Sequence, residues 1–124
     1  MELPLQITFH SLQRSDAIAG HVRNRARKLE KFSDRIHFCR VAIEAPHHHR
    51  NKGNEYRVRV EVSVPGQQLV VTRGDGDHGA YADVYAAIRD AFDAMRRQLE
   101  DYAALLRHKA RTAELAEMQP VAQQ

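Results

Sequence analysis

The chain has 124 residues, of which 43% are hydrophobic and 28% are charged. These proportions are typical of one soluble globular domain and argue against a disordered or membrane-embedded chain. No apolar run approaches the roughly 18 residues that span a bilayer, and the first residues lack the pattern of a signal peptide. We therefore expect a cytoplasmic protein with no membrane partner.

Charge is distributed unevenly along the chain, although the net charge is only +3. Residues 1–73 carry 13 Lys and Arg against 7 Asp and Glu, whereas residues 74–124 carry 6 against 9. Lysine and arginine gain free energy when they displace condensed counterions from phosphates. The basic first part of the chain therefore indicates a polyanionic partner.

The first elements in chain order are a strand and a helix. Apolar and polar residues alternate over 4–9, which predicts a half-buried strand. Ser15 and Asp16 supply the chemistry of a helix start, and apolar residues then recur at helical spacing, so we predict a helix over about 15–33. Its apolar stripe contains Ile18, Val22, Ala26, Leu29 and Phe32.

Three further strands are predicted after this helix. Alternation over 39–45 indicates the second strand, and the polar stretch 47–54 after it is predicted to be a loop. The clearest alternation covers 56–64, and the turn signal Pro65-Gly66 joins it to a fourth strand over 67–73. In the third strand we expect one face in the core and the other in water. The expected core residues are Tyr56, Val58, Val60 and Val62, and the expected outer residues are Arg57, Arg59 and Glu61.

A long helical pattern closes the chain. Apolar residues share one face from Val84 to Leu106, so the second helix should run from about 80 to at least 108. Residues 111–124 lose this stripe, and we predict a domain over 1–110 followed by a flexible tail. The order β-α-β-β-β-α predicts an α+β fold, a two-layer sandwich in which a four-stranded sheet carries both helices on one face.

The first helix concentrates positive charge, with five cations and only one acid, Glu30, within nine residues. One interpretation is an ordinary solvated helix face. A helix that is charged for solubility alone usually mixes Glu with Lys four residues apart, however, so a phosphate-contacting helix is a serious alternative. The cations are Arg23, Arg25, Arg27, Lys28 and Lys31.

A second cluster, His47-His48-His49, is followed closely by Arg50 and Lys52. Neutral imidazoles bind transition metals, but three consecutive loop residues do not converge on one ion as metal ligands must, and we expect no metal here. The alternatives are a plain polar loop and a second phosphate-contacting element in which Arg50 and Lys52 supply the charge. A metal-binding protein that uses this loop stays as an alternative function.

Catalysis would require a nucleophile beside a base, paired carboxylates or a phosphate-binding glycine-lysine loop, and the sequence shows none of these patterns. The single cysteine, Cys39, lies in an apolar segment, where a buried and inert thiol is the common case. We therefore expect no enzyme, no catalytic residues, no cofactor and no small-molecule substrate.

Each predicted helix contains a recognisable motif. The first comprises Ala17-Ile18, His21-Val22, Arg25 and Lys28-Leu29-Glu30-Lys31. The second comprises Asp83-Val84-Tyr85-Ala86-Ala87-Ile88, Asp93 and Arg97-Gln98-Leu99. Together with the element order over about 4–108, these motifs resemble the hibernation promoting factor and ribosome-associated inhibitor A family, also called the sigma-54 modulation family, in its short form.

The resemblance implies a double-stranded-RNA-binding-like sandwich that lies between the head and the body of the small ribosomal subunit. There it would cover the messenger and transfer RNA sites and hold idle ribosomes inactive. The second domain by which longer members pair ribosomes is not expected. On physical grounds we expect Asp83 to be a helix-start cap or a surface residue, and Tyr85 and Ile88 to pack. The matching basic positions are Arg25, Lys28, Lys31 and Arg97.

Our leading hypothesis is a non-catalytic translation inhibitor whose cationic helix faces bind the ribosomal RNA of the small subunit. The first alternative is a general structured-RNA-binding module with no preference for ribosomes. The expected RNA-binding residues are Arg23, Arg25, Arg27, Lys28, Lys31, Arg96 and Arg97, with a possible secondary contact from Arg50 and Lys52.

Overall fold

A computed structural model of the protein describes residues 4–45, 48–49, 53–54, 56–74 and 83–118. Two helices and six strands occur in these residues. The elements are β1 (Leu5–His10), α1 (Asp16–Leu29), β2 (Phe38–Glu44), β3 (His48–His49), β4 (Gly53–Asn54), β5 (Arg57–Val64), β6 (Gln67–Arg73) and α2 (Val84–Met118).

The main sheet has four strands in the order β1-β2-β5-β6. Strand β1 is parallel to β2, as a helical crossover between two neighbouring strands requires, and the other pairs are antiparallel. The turn between β5 and β6 contains Pro65 and Gly66, and Gly66 has a φ of 87°. Proline followed by a residue of positive φ is the combination that a type II turn requires.

One face of this sheet forms the core with both helices. Val58, Val60 and Val62 of β5 are fully buried, and they belong to one apolar cluster with Val22 of α1 and Ile88 of α2. Tyr56 is partly buried and packs against the same cluster, whereas Arg59 is exposed on the opposite face. The predicted sandwich, its strand register and the position of both helices on one face are therefore confirmed.

Helix α1 begins as predicted but ends earlier. The Ser15 hydroxyl accepts a hydrogen bond from the Ile18 backbone N–H at 3.2 Å, which caps the first turn. Beyond Leu29, the N–H groups of Lys31 and Phe32 donate to carbonyl oxygens three residues back instead of four. This tighter turn ends the helix and leaves Phe32 with 37% of its surface exposed, although the apolar spacing placed it in the core stripe.

Helix α2 begins at Val84, where the Asp83 carboxylate accepts a hydrogen bond of 2.9 Å from the Tyr85 backbone N–H. This confirms Asp83 as the cap. The helix continues to Met118, beyond the loss of the apolar stripe. All side chains over 107–117 are exposed, so helix-favouring Ala, Glu, Leu, Arg and Lys residues maintain this part without core contacts. The flexibility expected for residues 111–124 and the domain boundary stay predictions.

The polar stretch after β2 is not simply a loop. Strands β3 and β4 pair in antiparallel register, with His48 opposite Asn54 and His49 opposite Gly53. Two-residue strands are too short to produce a recognisable alternation, which is why the sequence pattern did not reveal them. The cations Arg50 and Lys52 lie outside the residues that the structure describes.

Gly74, which follows β6, provides a test of the fold. Its φ is 98°, and a Cβ at this position would overlap the backbone carbonyl oxygen of Tyr56. We expect Gly74→Ala to lower the free energy of unfolding by about 1–3 kcal/mol, because the strained φ and the backbone overlap act together. Urea denaturation measures this loss.

Gly66 is the matched control, because its φ is also positive but its Cβ position has no atom within 4 Å. Gly66→Ala should therefore show only the φ penalty and lose less stability than Gly74→Ala. Equal losses for the two variants would contradict the predicted overlap with Tyr56.

Candidate nucleic-acid interface

A groove of about 340 Å³ lies between α1 and α2. Its floor is apolar, because Leu29 of α1 and Phe92 of α2 reach it from the core. Its rim is cationic and carries a single acid, Asp93. The rim and end residues are Arg25, Lys28, Lys31, Phe32, Asp93 and Arg96.

Two rim guanidiniums have unused hydrogen-bonding capacity. The Nε atoms of Arg25 and Arg96 are inaccessible to solvent and have no hydrogen-bond partner in the described part of the chain. Arg96 Nε lies 4.0 Å from Glu100 Oε2, which is too long for a hydrogen bond. An unpaired buried donor is unfavourable. An anion in the groove would meet the accessible parts of the two guanidiniums, and a side chain would have to move before its Nε could donate.

Arg96 also lies against an aromatic ring. Its Cζ is 5.9 Å from the ring centroid of Phe32, within the range of a cation–π contact. The exposed ring and the guanidinium thus stand together at one end of the groove, where an apolar and a cationic surface meet.

On the opposite face of the sheet, two arginines are paired with acids. Arg40 contacts Glu61 at 3.2 Å and Arg57 contacts Glu44 at 2.7 Å, and each pair joins residues directly opposite one another on β2 and β5. Ion pairs of up to 4.0 Å among the described residues also involve Arg14, Arg89 and Arg96. None involves the α1 cations or Lys31, which follows the helix, so no close ion pair among the described residues neutralises these charges.

The pKa of His21 responds to the positive charge of this surface. Its ring meets Tyr85 edge to face, with the centroids 5.1 Å apart. Burial lowers the pKa of His21 from its ordinary value of 6.5, and nearby Arg25, Lys28 and Arg89 lower the pKa further, while Asp83 opposes them. Tyr85 and Ile88 were both predicted to pack, but Tyr85 is 40% exposed, whereas Ile88 is fully buried in the core.

Comparison with known proteins identifies the family of this chain. The sequence model of the family described as Sigma 54 modulation protein / S30EA ribosomal protein matches residues 5–107, which is most of the chain. The chain belongs to this family. The resemblance carried by the two helix motifs is therefore confirmed.

Relatives of this S30EA family member differ in length and sequence. The ribosome hibernation promotion factor of Deinococcus radiodurans is 29% identical over 97 residues, which are 78% of this chain and 47% of that protein. The chain thus spans about half the length of this curated relative.

Two solved structures share the fold: the N-terminal domain of Thermus thermophilus Protein Y, at 22% identity, and a ribosomal subunit interface protein from Coxiella burnetii, at 16%. Each has a TM-score of 0.63 and covers 82% of this chain and 99% of the other.

The seven cations predicted on the two helices of this S30EA family member are not all brought together. Arg25, Lys28, Lys31 and Arg96 line the groove. Arg23 and Arg27 are exposed elsewhere on α1, and Arg97 is exposed on α2 about 100° around the helix from Arg96. These three residues could contact phosphates only beside the groove.

Several groove and near-groove residues were not predicted as part of the site. Phe32 was placed near the end of the apolar stripe of the first helix, and Asp93 was noted only as a helix-surface residue and a family match. Arg89 and Arg96 are seven residues apart, a spacing that puts both on one side of α2, and this signal could have identified Arg89 as part of the cationic field. Nothing in the sequence indicated that Phe92 would form the groove floor.

The described residues offer little for other chemistry. Cys39 is fully buried, and burial raises the pKa of its thiol to about 12, so it is inert as a nucleophile. No group of three or more His, Cys, Asp and Glu that could hold a metal occurs within the described ranges. The side chains of His47, His48 and His49 lie outside the part of the chain that the structure describes. No helix in this part of the chain is long and apolar enough to cross a membrane.

The cationic field around His21 can be tested by titration. Because Arg25 lowers the pKa of His21 but burial lowers it more, Arg25→Gln should raise this pKa without restoring it to 6.5. NMR titration of the His21 ring measures the change. Arg23→Gln removes the same charge from α1 away from His21 and should leave its pKa in place. An equal shift in both variants would contradict a local effect of Arg25.

The same pKa predicts how stability depends on pH. Folded His21 takes up its proton at a lower pH than unfolded His21, so unfolding binds protons in the interval between the two pKa values. The neutral ring of His21 makes its full contribution to the free energy of unfolding above about pH 6.5. This contribution is lost as the pH falls through the pKa of folded His21. The melting temperature of His21→Gln should therefore fall less than that of the parent over this interval.

Proposed function

We propose that this protein is a non-catalytic ribosome hibernation factor that binds ribosomal RNA of the small subunit and covers the messenger and transfer RNA sites. The observation that carries the proposal is the cationic groove between α1 and α2, whose α1 cations have no close ion-pair partner among the described residues. Such a surface suits a polyanion. A ribosome-associated partner agrees with membership of the S30EA family.

The relatives support the same proposal through their names. The Deinococcus protein is a ribosome hibernation promotion factor, and the Coxiella protein is a ribosomal subunit interface protein. This chain shares the fold, and four of its cations converge on one groove.

Binding by this surface would inhibit translation without chemistry. Phosphate contacts from Arg25, Lys28 and Lys31 would supply affinity, while the shape of the RNA pocket would supply specificity. The folded body would then exclude messenger and transfer RNA by its volume. Arg96 lines the same groove, Arg23, Arg27 and Arg97 extend the surface beside it, and Arg50 and Lys52 are proposed as a secondary contact.

The groove cations should contribute more to binding than to folding. Replacing Arg25, Lys28 and Lys31 together by Gln should change the free energy of unfolding by no more than about 1 kcal/mol, since Lys28 and Lys31 are exposed, Arg25 is partly exposed, and none has a close ion pair among the described residues. Binding to small subunits should weaken, and its dependence on salt should flatten by about two to three units of log–log slope, because three phosphate contacts are lost. Sedimentation with purified small subunits over a salt series measures both the affinity and its dependence on salt.

A matched control removes the same charge from the far end of α2. Replacing Arg107, Lys109 and Arg111 by Gln changes exposed residues well beyond the groove and should weaken binding less. Equal losses for the two triple variants would show that only net charge matters. Equal affinity of the parent for an unrelated RNA duplex would favour a general structured-RNA-binding module instead.

A further inference from the structure

We propose that the groove between α1 and α2 receives a single unpaired ribonucleotide of the RNA, with its base stacked on Phe32 and its phosphate against Arg25 and Arg96. This inference rests on the proposed function, because it names the RNA element that the same surface would bind.

The size of the groove favours one nucleotide. Its volume of about 340 Å³ lies near the lower end of the range of about 300–1,000 Å³ found for small-molecule sites. A paired duplex is far larger and could only lie across the rim. An unpaired nucleotide turned out of the RNA could enter and contact the apolar floor formed by Leu29 and Phe92.

Phe32 has the exposure and the surroundings of a stacking platform. Hydrogen bonds to carbonyl oxygens three residues back hold the chain out of the helix at this point, and the ring is 37% exposed at the groove instead of joining the core. Exposed aromatic rings beside cations are the usual means by which proteins hold unpaired bases.

The polar groups divide between the two parts of a nucleotide. The guanidinium groups of Arg25 and Arg96 line the groove and would donate to phosphate oxygens through their accessible nitrogens. Asp93, the single acid of the lining, accepts hydrogen bonds and repels phosphate, so it suits the N–H groups on the edge of a base. An anion alone would leave the aromatic ring and Asp93 unused.

The test compares two labelled RNA hairpins, one fully paired and one with a single bulged 2-aminopurine, using the full chain. The bulged hairpin should bind more tightly by about 5- to 150-fold, the range expected for stacking one base on an aromatic ring. Its fluorescence should be quenched on binding. Phe32→Leu should lose both the preference and the quenching, and Phe32→Tyr should retain them.

Phe38→Leu is the matched control. Phe38 also lies under a guanidinium, with Arg40 Cζ 5.1 Å from its ring centroid, but it is on the open face of the sheet. This variant should behave like the parent. Equal binding of the two hairpins to the parent, or a preference that survives in Phe32→Leu, would overturn the proposal.

Competition with guanosine monophosphate separates the two sources of a nucleotide. A nucleotide within RNA gains further contacts along the rim, so the free nucleotide should compete only weakly. Displacement of the bulged hairpin by equimolar guanosine monophosphate would overturn the assignment to RNA.

Sedimentation with small subunits separates this inference from the proposed function. If the parent binds subunits but shows no bulge preference, the nucleotide site is wrong and the proposed function stands. If Phe32 confers the preference but the parent does not bind subunits, the proposed function is wrong and the nucleotide site stands.

Discussion

Two helices share one face of a four-stranded sheet, and this constraint determines the rest of the molecule. Each helix must bury its apolar stripe there, so α1 and α2 lie side by side, and the cations at the stripe edges come together. Burying one large apolar side chain contributes about 1.5–3 kcal/mol, whereas a pair of exposed charges contributes about 1 kcal/mol or less. Hydrophobic burial therefore outweighs the repulsion between Arg25, Lys28 and Arg96. Binding of a polyanion would relieve that repulsion.

The sequence predicted the elements whose packing follows a regular period. Alternation along β5 placed Val58, Val60 and Val62 correctly, and Ser15 identified the start of α1. The sequence did not reveal where the helices end. Phe32 still fits the helical spacing, so only the tighter hydrogen bonds show that α1 has already ended. Helix α2 continues after its stripe because helix-favouring residues sustain it in the absence of core contacts.

The part of the candidate site that could be predicted is the part whose residues are close together in the sequence. The cluster of cations on α1 is visible without a structure, because its members are close together and have only one acid among them. The groove depends on which side of α1 meets which side of α2, and that information is in the packing. Arg96 and Arg97 are adjacent in sequence and equally basic, yet only Arg96 lines the groove. For the same reason Arg25 belongs to the groove and Arg23 does not.

Charges are arranged differently on the two faces of the sandwich, so one face suits a polyanion better than the other. On the open sheet face, the register of β2 and β5 sets Arg40 opposite Glu61 and Arg57 opposite Glu44, so these charges neutralise one another across neighbouring strands. On the helical face, the cations of α1 lie outside all such pairs within the described residues. A polyanion would therefore approach from the helical side, with the paired face directed away from it. An RNA bound in this way meets the groove first, where the exposed Phe32 ring would accept an unpaired base, which a duplex keeps stacked inside its helix.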